Sequence, residues 1–326
     1  MPELTPYTLE EFEASLKFFS FQQIKKVAVA CSGGADSLAL TFFLSDVCQK
    51  HHKKLMAFHV DHRLRKNSQK EAQKVASWLE ERNISHKILI WDHEGIESRI
   101  QEQARNARYQ LLEKACADQG ISHLFLAHHR KDQEETFWMR LLKGSGPEGL
   151  SGMKSKIRRG NLTLLRPLLN VGPERLRSYL KDLNQSWIED PSNDNEKYLR
   201  IRIRKALLEE GHSFDMLLKT MQKLREDADY FEDRVENWMT QHVSQHESSS
   251  ISFDCNLIKD LPPALGKRIL ATCLKRVSDR IYPPDSESLE RLWAELYSPS
   301  FKATTLASCI IRFKQGQVTV ERETRK

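Results

Sequence analysis

Residues 26–37 read KVAVACSGGADS and join a short apolar run directly to a glycine-rich loop. The run 26–31 is bounded by polar residues, which is typical of a strand buried inside a parallel sheet. The stretch 36–50 that follows the glycines has a helical pattern. A loop between a strand end and a helix start presents unpaired backbone N–H groups at the positive end of the helix dipole. The stretch therefore predicts a phosphate-binding loop.

The residue types in this loop suit an anion. Gly33 and Gly34 are expected to adopt positive φ and to let the backbone approach closely. The hydroxyls of Ser32 and Ser37 can donate hydrogen bonds to a phosphate. Asp36 would repel a phosphate unless a cation lay between them, so it predicts a bridging Mg²⁺. The alternative is an ordinary glycine-rich turn with Asp36 as a helix cap; a Walker A loop is excluded because no lysine follows the glycines.

Strands and helices alternate around this loop. Further apolar runs lie at 55–60, 87–91 and 123–128, and helical patterns lie at 9–19, 69–82, 97–119 and 132–143. Two of these helices start with capping-box patterns, Thr8-x-x-Glu11 and Ser68-x-x-Glu71. The alternation predicts an α/β fold with a doubly wound, mainly parallel sheet. Sheets of this kind bind ligands at the carboxyl ends of their strands.

The chain beyond the sheet divides further. We expect a catalytic domain over 1–212, a helical connector over 213–247 with one long amphipathic helix at 213–243, and a small α+β domain over 248–326. Within the last domain we expect helices at 257–278 and 286–297. A hairpin over 307–321 is expected to turn at Gln315-Gly316.

Composition excludes several classes of protein. The 326 residues include 39% hydrophobic and 29% charged residues, and no apolar run is long enough to span a membrane. The first residues carry no secretory signal, which predicts a cytoplasmic protein. Six cysteines occur without any C-x-x-C pair. Their spacing excludes a disulfide scaffold and the usual zinc or iron–sulfur sites, so we expect them to be reduced and buried.

The net charge of +6 is unevenly distributed. Two stretches, 151–170 and 197–205, are basic and contain no carboxylate, whereas 206–237 is acidic. The basic stretches predict contacts with nucleic-acid phosphates, for which the candidates are Lys154, Lys156, Arg158, Arg159, Arg200 and Arg204. The alternative for Arg200 and Arg204, at i and i+4, is the exposed stripe of a helix that is buried through Ile203.

The loop S-G-G-x-D-S after a first strand resembles the pyrophosphate-loop superfamily, also called N-type ATP pyrophosphatases. Within it, the chain is similar to the bacterial tRNA(Ile)-lysidine synthetase family. The motifs that carry this resemblance lie at 32–37, 59–65, 102–109, 127–136, 141–146, 149–153, 166–169 and 187–193. The family implies an adenine nucleotide α-hydrolase-like fold and a ligase that uses ATP and Mg²⁺. It adenylates C2 of the wobble cytidine in tRNA(Ile) with a CAU anticodon, and free L-lysine then displaces AMP.

The resemblance also implies roles for residues of this chain. The catalytic candidates are Asp36, Arg108, His129, Asp132 and Glu135. The ATP-binding candidates are Ser32, Gly33, Gly34, Ala35, Asp36, Ser37, His59 and Asp61, and the Mg²⁺ ligands are Asp36 and Asp132. Three positions depart from the family pattern: Lys131 replaces the first of two aspartates, Arg63 replaces a glycine, and Ile201 replaces an asparagine.

Each role has an open alternative. Arg108 and its neighbour Arg105 can hold phosphate charge but could also be solvated on a mixed helix. His129 could be a packed histidine, and Asp132 could cap a helix. Glu135 could bind the lysine ammonium, a metal ion or only solvent.

Other functions are also open. A tRNA thiolase is disfavoured by the lack of C-x-x-C pairs, and a glutamine-dependent amidation enzyme by the lack of room for a glutaminase domain. A non-catalytic RNA-binding module is disfavoured because Asp36 and Asp132 are both present. A homodimer is an open alternative for the oligomeric state.

Overall fold

The computed structural model describes residues 5–65, 67–93, 100–189, 202–203, 214–246, 250–278, 283–298 and 300–323. The chain divides into two compact units. The first comprises Met1–Arg140 and Gly152–Phe214, and the second comprises Leu141–Ser151 and Asp215–Lys326. The domain boundaries at 212/213 and 247/248 stay a prediction.

A six-stranded sheet forms the centre of the first unit. Its strands are β1 (Lys26–Ala30), β2 (Lys54–Asp61), β3 (His86–Ile90), β4 (His123–Phe125), β5 (Lys156–Arg159) and β6 (Leu162–Leu165). The order across the sheet is β3-β2-β1-β4-β6-β5. All neighbouring strands run parallel except β5, which is antiparallel to β6. The predicted doubly wound, mainly parallel sheet is confirmed.

Helices cover both faces of this sheet. They are α1 (Leu9–Lys17), α2 (Ala35–Lys50), α3 (Ser68–Glu81), α4 (Ile100–Asp118), α5 (Arg130–Leu141) and α7 (Pro173–Asp182). Val27 of β1 lies in one hydrophobic core with Phe42 of α2, and its neighbour Ala28 lies in another with Leu112 of α4. Because successive strand side chains point to opposite faces, a strand covered on both sides is apolar throughout.

One of the two predicted capping boxes is present. The backbone N–H of Thr8 donates to Glu11 Oε2 at 3.0 Å, and the Glu11 N–H donates to Thr8 Oγ1 at 3.3 Å. The box predicted at Ser68 is wrong, because α3 begins at Ser68 itself and no side chain caps it. Glu71, the other half of that box, instead accepts a hydrogen bond from the Arg65 guanidinium at 2.9 Å.

The strands β5 and β6 were not predicted, because charged residues dominate the sequence KIRR of β5. A turn signal was nevertheless present, since Gly160-Asn161 is a two-residue hairpin sequence and Gly160 has φ +56°. The hairpin places β6 beside β4 and leaves β5 at the sheet edge. The basic stretch 151–170 is thereby part of the sheet.

The second unit has its own sheet and core. Its helices are α6 (Pro147–Leu150), α8 (Phe214–His242), α9 (Cys255–Lys259), α10 (Pro263–Ser278) and α11 (Ser286–Leu296). Its strands are β7 (Ser244–His246), β8 (Ser250–Asp254), β9 (Ala303–Leu306), β10 (Cys309–Lys314) and β11 (Gln317–Arg322), in the antiparallel order β7-β8-β11-β10-β9. In the part of the chain described, no helix combines the length and the apolar character that crossing a membrane demands.

Two local predictions in this unit have opposite outcomes. The hairpin is confirmed, since β10 and β11 turn at Gln315 and Gly316 with φ of +50° and +82°. The single helix predicted over 257–278 is wrong, because α9 ends at Lys259 and a new helix, α10, starts at Pro263 directly after Pro262. Proline lacks a backbone N–H and clashes with the preceding helical turn, so it is tolerated only at a helix start.

Candidate active site

The glycine loop joins β1 to α2 and has a left-handed backbone conformation at one residue. Gly33 has φ +86°, and a Cβ atom there would lie 2.4 Å from Val75 Cγ2 and 3.0 Å from Ile188 Cδ1. Its carbonyl accepts a hydrogen bond from the Ile188 N–H at 2.9 Å. Gly34 has φ −73° and is the extended N-cap residue of α2, so the predicted positive φ is correct for Gly33 and wrong for Gly34.

Two serine hydroxyls close the loop. Ser37 Oγ accepts a hydrogen bond from the Ser32 N–H at 3.1 Å and donates to the Gly34 carbonyl at 2.9 Å. Ser32 Oγ lies 3.1 Å from Ser37 Oγ. Because Ser37 uses its single hydrogen on the Gly34 carbonyl, Ser32 Oγ is the donor in the contact between the two hydroxyls, and both serines shape the loop.

His129 links two loops at the carboxyl edge of the sheet. Its Nε2 lies 3.3 Å from Oδ2 of Asp36, and its Nδ1 lies 3.5 Å from Oδ2 of Asp132. Burial lowers the pKa of His129, but the hydrogen bond to Asp36 and the charges of Asp132, Asp36 and Glu135 raise it further, so the pKa lies above its ordinary value. A cationic imidazole with both nitrogens facing carboxylates fits this geometry. Three of the predicted catalytic residues are therefore in contact.

Asp132 and Glu135 both belong to the first turns of α5. Asp132 Oδ2 accepts a hydrogen bond from the His129 N–H at 2.9 Å, which is the contact that an N3 residue makes when it caps a helix. Glu135 lies one turn later and is 1% exposed. The same oxygen of Asp132 therefore caps the helix and contacts the His129 ring. The side-chain amide of Gln133 also anchors α5, because it donates to the Met153 carbonyl and accepts from the Met153 N–H.

Asp36 suits a hard cation. Its Oδ1 is buried and has no hydrogen-bond partner, while its Oδ2 faces His129. Among the residues described, no three His, Cys, Asp or Glu side chains are grouped as a closed metal site. Mg²⁺ is commonly held by one or two carboxylates, with substrate phosphates and water as its other ligands. The unpartnered oxygen of Asp36 fits such an ion.

His59 and Asp61 lie at the end of β2 and are both buried. His59 Nδ1 lies 2.9 Å from the carbonyl of Cys31, the residue before the glycine loop. Asp61 Oδ1 accepts a hydrogen bond from the Arg63 N–H at 2.9 Å, and Arg63 has φ +51°. Glycine adopts this left-handed conformation without strain, which is consistent with the glycine that the family pattern implies at this position.

Arg108 of α4 lies near the end of β2. Burial, followed by the charge of Arg108, lowers the pKa of His62 to about 4. Arg108 is half-buried, and its guanidinium lies 5.3 Å from the ring centroid of the following residue, Tyr109. It is therefore not a solvated residue on an exposed helix face.

Lys131 faces a different element from Asp132. Its Nζ lies 3.9 Å from Glu174 Oε2 in the first turn of α7. Neighbouring residues of a helix point in different directions, so the lysine occupies the position of the missing aspartate without approaching His129. The ion pair with Glu174 compensates its charge.

The predicted tRNA contacts are not equivalent. Lys156 and Arg158 are exposed on β5, whereas Arg159 points to the opposite face and its Nε lies 2.5 Å from Glu113 Oε1. Lys154 is half-buried. Arg200 and Arg204 lie outside the described residues, although Ile203 between them is buried.

Three further residues support the site without having been assigned a role from sequence. Ile188 holds the Gly33 carbonyl, and Tyr109 and Arg166 are buried next to Arg108. All three belong to motifs that carry the resemblance, at 187–193, 102–109 and 166–169. Their position in these motifs was the only sequence signal for them.

Known proteins match the chain in sequence and in fold. The PP-loop domain family matches residues 8–211. The tRNA(Ile)-lysidine synthase of Orientia tsutsugamushi is 31% identical over 316 residues, which cover 94% of this chain and 71% of that protein. The tRNA(Ile)-lysidine synthase of Hyphomonas neptunium is 33% identical over 304 residues, covering 91% and 81%.

A solved structure shares the fold. The U34-tRNA thiolase NcsA from Methanococcus maripaludis with its 4Fe-4S cluster superimposes with a TM-score of 0.55 at 18% identity, over 67% of this chain and 78% of that one. At this identity the likeness concerns the fold alone. The sequence matches extend over nearly the whole chain, and they show that it belongs to the PP-loop family and, within it, to the tRNA(Ile)-lysidine synthases.

Proposed function

We propose that this chain is an ATP-dependent tRNA-modifying ligase that makes lysidine. It transfers AMP from ATP to the C2 oxygen of the wobble cytidine in tRNA(Ile) with a CAU anticodon and releases pyrophosphate. L-Lysine then attacks C2 and displaces AMP, which changes the codon read from AUG to AUA. The observation that carries this proposal is the contact chain Asp36–His129–Asp132 beside the glycine loop, in a chain of this family.

Different residues of the chain have different roles in adenylation. Backbone N–H groups of the glycine loop and of the start of α2 bind the phosphates of ATP. Arg108 neutralises charge on them through its guanidinium. Asp36, with Asp132 on the neighbouring strand-end loop, would hold Mg²⁺, which supplies positive charge at the phosphate oxygens when bound. Catalysis then rests mainly on positioning and charge neutralisation.

The imidazole of His129 orients the Asp36 carboxylate and holds a proton in the cleft. The pKa of His129 is raised by the hydrogen bond to Asp36 and by the neighbouring carboxylates, which favours the protonated ring that holds Asp36 and Asp132 in place. We place the ammonium of L-lysine at Glu135, one helical turn after Asp132 and near enough to His129 for its charge to raise the pKa of that histidine. The reaction uses cytoplasmic substrates, so we place the protein in the cytoplasm.

The exposed side chains of β5 would contact the phosphates of tRNA. Lys156 and Arg158 are exposed at the edge of the sheet and project away from the core of the unit. Contacts of this kind weaken steeply with salt because they release counterions.

Sulfur transfer is not favoured by the state of the cysteines. All six are free and buried. Burial raises the pKa of Cys48, Cys116 and Cys273 to about 12 and raises the pKa of Cys31 and Cys255 as well. A thiolate carrier needs a lowered pKa and access to solvent.

The direct test is an incorporation assay. Purified protein, CAU-anticodon tRNA(Ile), ATP, Mg²⁺ and labelled L-lysine are expected to yield label that stays in the nucleoside after digestion of the tRNA. An otherwise identical reaction with a GAU-anticodon tRNA serves as the control. Release of AMP without label retained in the nucleoside would contradict the assignment.

Asp36→Asn tests the site within this function. It keeps the shape of the side chain but removes the charge at the unpartnered oxygen, so pyrophosphate release is expected to fall by about 100-fold or more. The affinity for tRNA, measured by filter binding, should stay within about twofold of the native value. Unaltered turnover would remove Asp36 from the ATP site.

A further inference from the structure

Tyr109 of α4 is the centre of a cluster of guanidinium groups. It is 3% exposed. The Cζ atoms of Arg105 and Arg108, on the same helix, both lie 5.3 Å from its ring centroid, and that of Arg159 on β5 lies 4.7 Å away. Cations within about 6 Å of an aromatic ring are attracted by its quadrupole, and more strongly when solvent is excluded. The ring therefore gathers three like charges that would otherwise repel each other.

Two further contacts tie this cluster to the sheet. Arg159 Nε donates to Glu113 Oε1 at 2.5 Å, one turn beyond Tyr109 on α4. Arg166, which follows β6, forms a side-chain hydrogen bond with Tyr109, and its Nη1 donates to the Lys154 carbonyl at 2.6 Å. The helix that carries Arg108 is thus fixed to the β5–β6 hairpin through Tyr109.

The phenol responds to this surrounding charge. Burial raises the pKa of Tyr109, but Arg105, Arg108 and Arg166 lower it by more, and the pKa lies below its ordinary value. The guanidinium groups of Arg105 and Arg108, which lie near the ring, contribute to this shift.

We propose that Tyr109 and Arg159 are positioning residues that hold the Arg108 guanidinium in the ATP site, and that Arg159 is not a tRNA contact. The proposal rests on the proposed function in one respect, the action of Arg108 on the phosphates of ATP. It separates two neighbours on one strand, since Arg158 is exposed to solvent while Arg159 is turned to Tyr109. Adjacent arginines of β5 then serve different steps.

The neighbouring arginines allow a matched comparison. Arg159→Ala is expected to lower the rate of pyrophosphate release at saturating tRNA by about tenfold and to leave the tRNA Kd within about twofold. Arg158→Ala is expected to act chiefly on the tRNA Kd. It should also lower the slope of log Kd against log salt concentration by the amount that corresponds to about one phosphate contact. Lys114→Ala, an exposed cation of α4, is the control for general charge loss.

The tyrosine is tested by a conservative and a disruptive change. Tyr109→Phe keeps the ring and should retain most of the rate, whereas Tyr109→Leu removes the ring and should lose about tenfold. If Tyr109→Leu does not fold, Glu113→Gln, which weakens the anchor of Arg159, is expected to lower the rate in the same direction as Arg159→Ala.

Binding of a non-hydrolysable ATP analogue without tRNA separates this inference from the proposed function. Arg159→Ala and Tyr109→Leu should weaken analogue binding several-fold relative to the native chain. A native chain that binds no analogue would refute the proposed function. A native chain that binds it, with variants that bind equally well, would refute the positioning role, as would an Arg159→Ala variant that loses tRNA affinity and keeps its rate.

Discussion

Replacing Gly33 by alanine is expected to destabilise the first unit, whereas the same change at Gly34 is not. A left-handed backbone costs a residue with a side chain about 1–2 kcal/mol. The new Cβ would also lie 2.4 Å from Val75 Cγ2, in a side chain that is fully buried and cannot move away. Crowding of this kind destabilises the folded state by about 1–3 kcal/mol more. Alanine also lowers the conformational entropy of the unfolded chain, which offsets about 0.4–1 kcal/mol of this loss. The net loss is about 1–5 kcal/mol.

Gly34 is the matched control. It has φ −73°, and a Cβ there would meet Ser32 Oγ at 3.7 Å and the Ile188 carbonyl at 3.8 Å, which are ordinary contacts. Alanine is less favourable than glycine at an N-cap, but it also lowers the conformational entropy of the unfolded chain. These effects offset each other, so we expect the free energy of unfolding to change by less than about 0.5 kcal/mol.

The measurement is the free energy of unfolding from urea titrations of both full-length variants. Hydrogen exchange of peptides covering residues 31–41 provides a local readout. Faster exchange confined to Gly33→Ala would support the crowding argument. Equal losses in the two variants would refute it, because the argument depends entirely on the difference in φ and in neighbours.

Three other predictions concern the surroundings of the site. Lys131→Ala breaks an exposed ion pair with Glu174 and should lower the free energy of unfolding by less than about 1 kcal/mol. The Mg²⁺ dependence of pyrophosphate release should not change, and a shifted Mg²⁺ requirement would place Lys131 at the metal. The pKa of His62 is lowered to about 4, so the unfolded state binds more protons below about pH 6.5. Because the imidazole is only half-buried, solvent screening reduces the effect, and the free energy of unfolding should fall by about 1–2 kcal/mol as the pH drops from 6.5 to 4. The free energy of unfolding should depend less on pH in His62→Gln, and an unchanged pH dependence would contradict the low pKa of His62. Arg63→Gly should be neutral or stabilising by up to about 1 kcal/mol in urea titrations, and Arg63→Val should be destabilising, since β-branched residues avoid positive φ; the reverse order would refute the role of the turn.

The sequence predicted the catalytic edge of the sheet because local patterns determine it. Apolar runs define parallel strands, and parallel strands bring their carboxyl ends together, so Asp36 and His129 could be placed in one cleft before any distance was known. The pairing of Asp36 with His129 at 3.3 Å follows from β1 and β4 being neighbours.

Other features depend on contacts between distant segments and could not be predicted. The inward direction of Arg159 follows from the pairing of β5 with β6 and from Glu113 on α4. The capping box at Ser68 failed for a local reason, because α3 begins at Ser68 itself and Glu71 accepts a hydrogen bond from Arg65 instead. The ion pair of Lys131 could not be predicted either, because its partner, Glu174, lies more than forty residues away in the sequence.

The segment Leu141–Ser151 has a consequence for how this protein can be divided or recombined. It follows α5 in the chain but belongs to the second unit, where the Arg225 guanidinium donates to the Ser151 carbonyl and Arg268 lies 3.7 Å from Glu148. A fragment that begins at Asp215 therefore lacks part of its own fold. Chimaeras between relatives should exchange Leu141–Ser151 together with the C-terminal half, since an exchange at a single crossover would separate Arg225 and Arg268 from the segment that they contact.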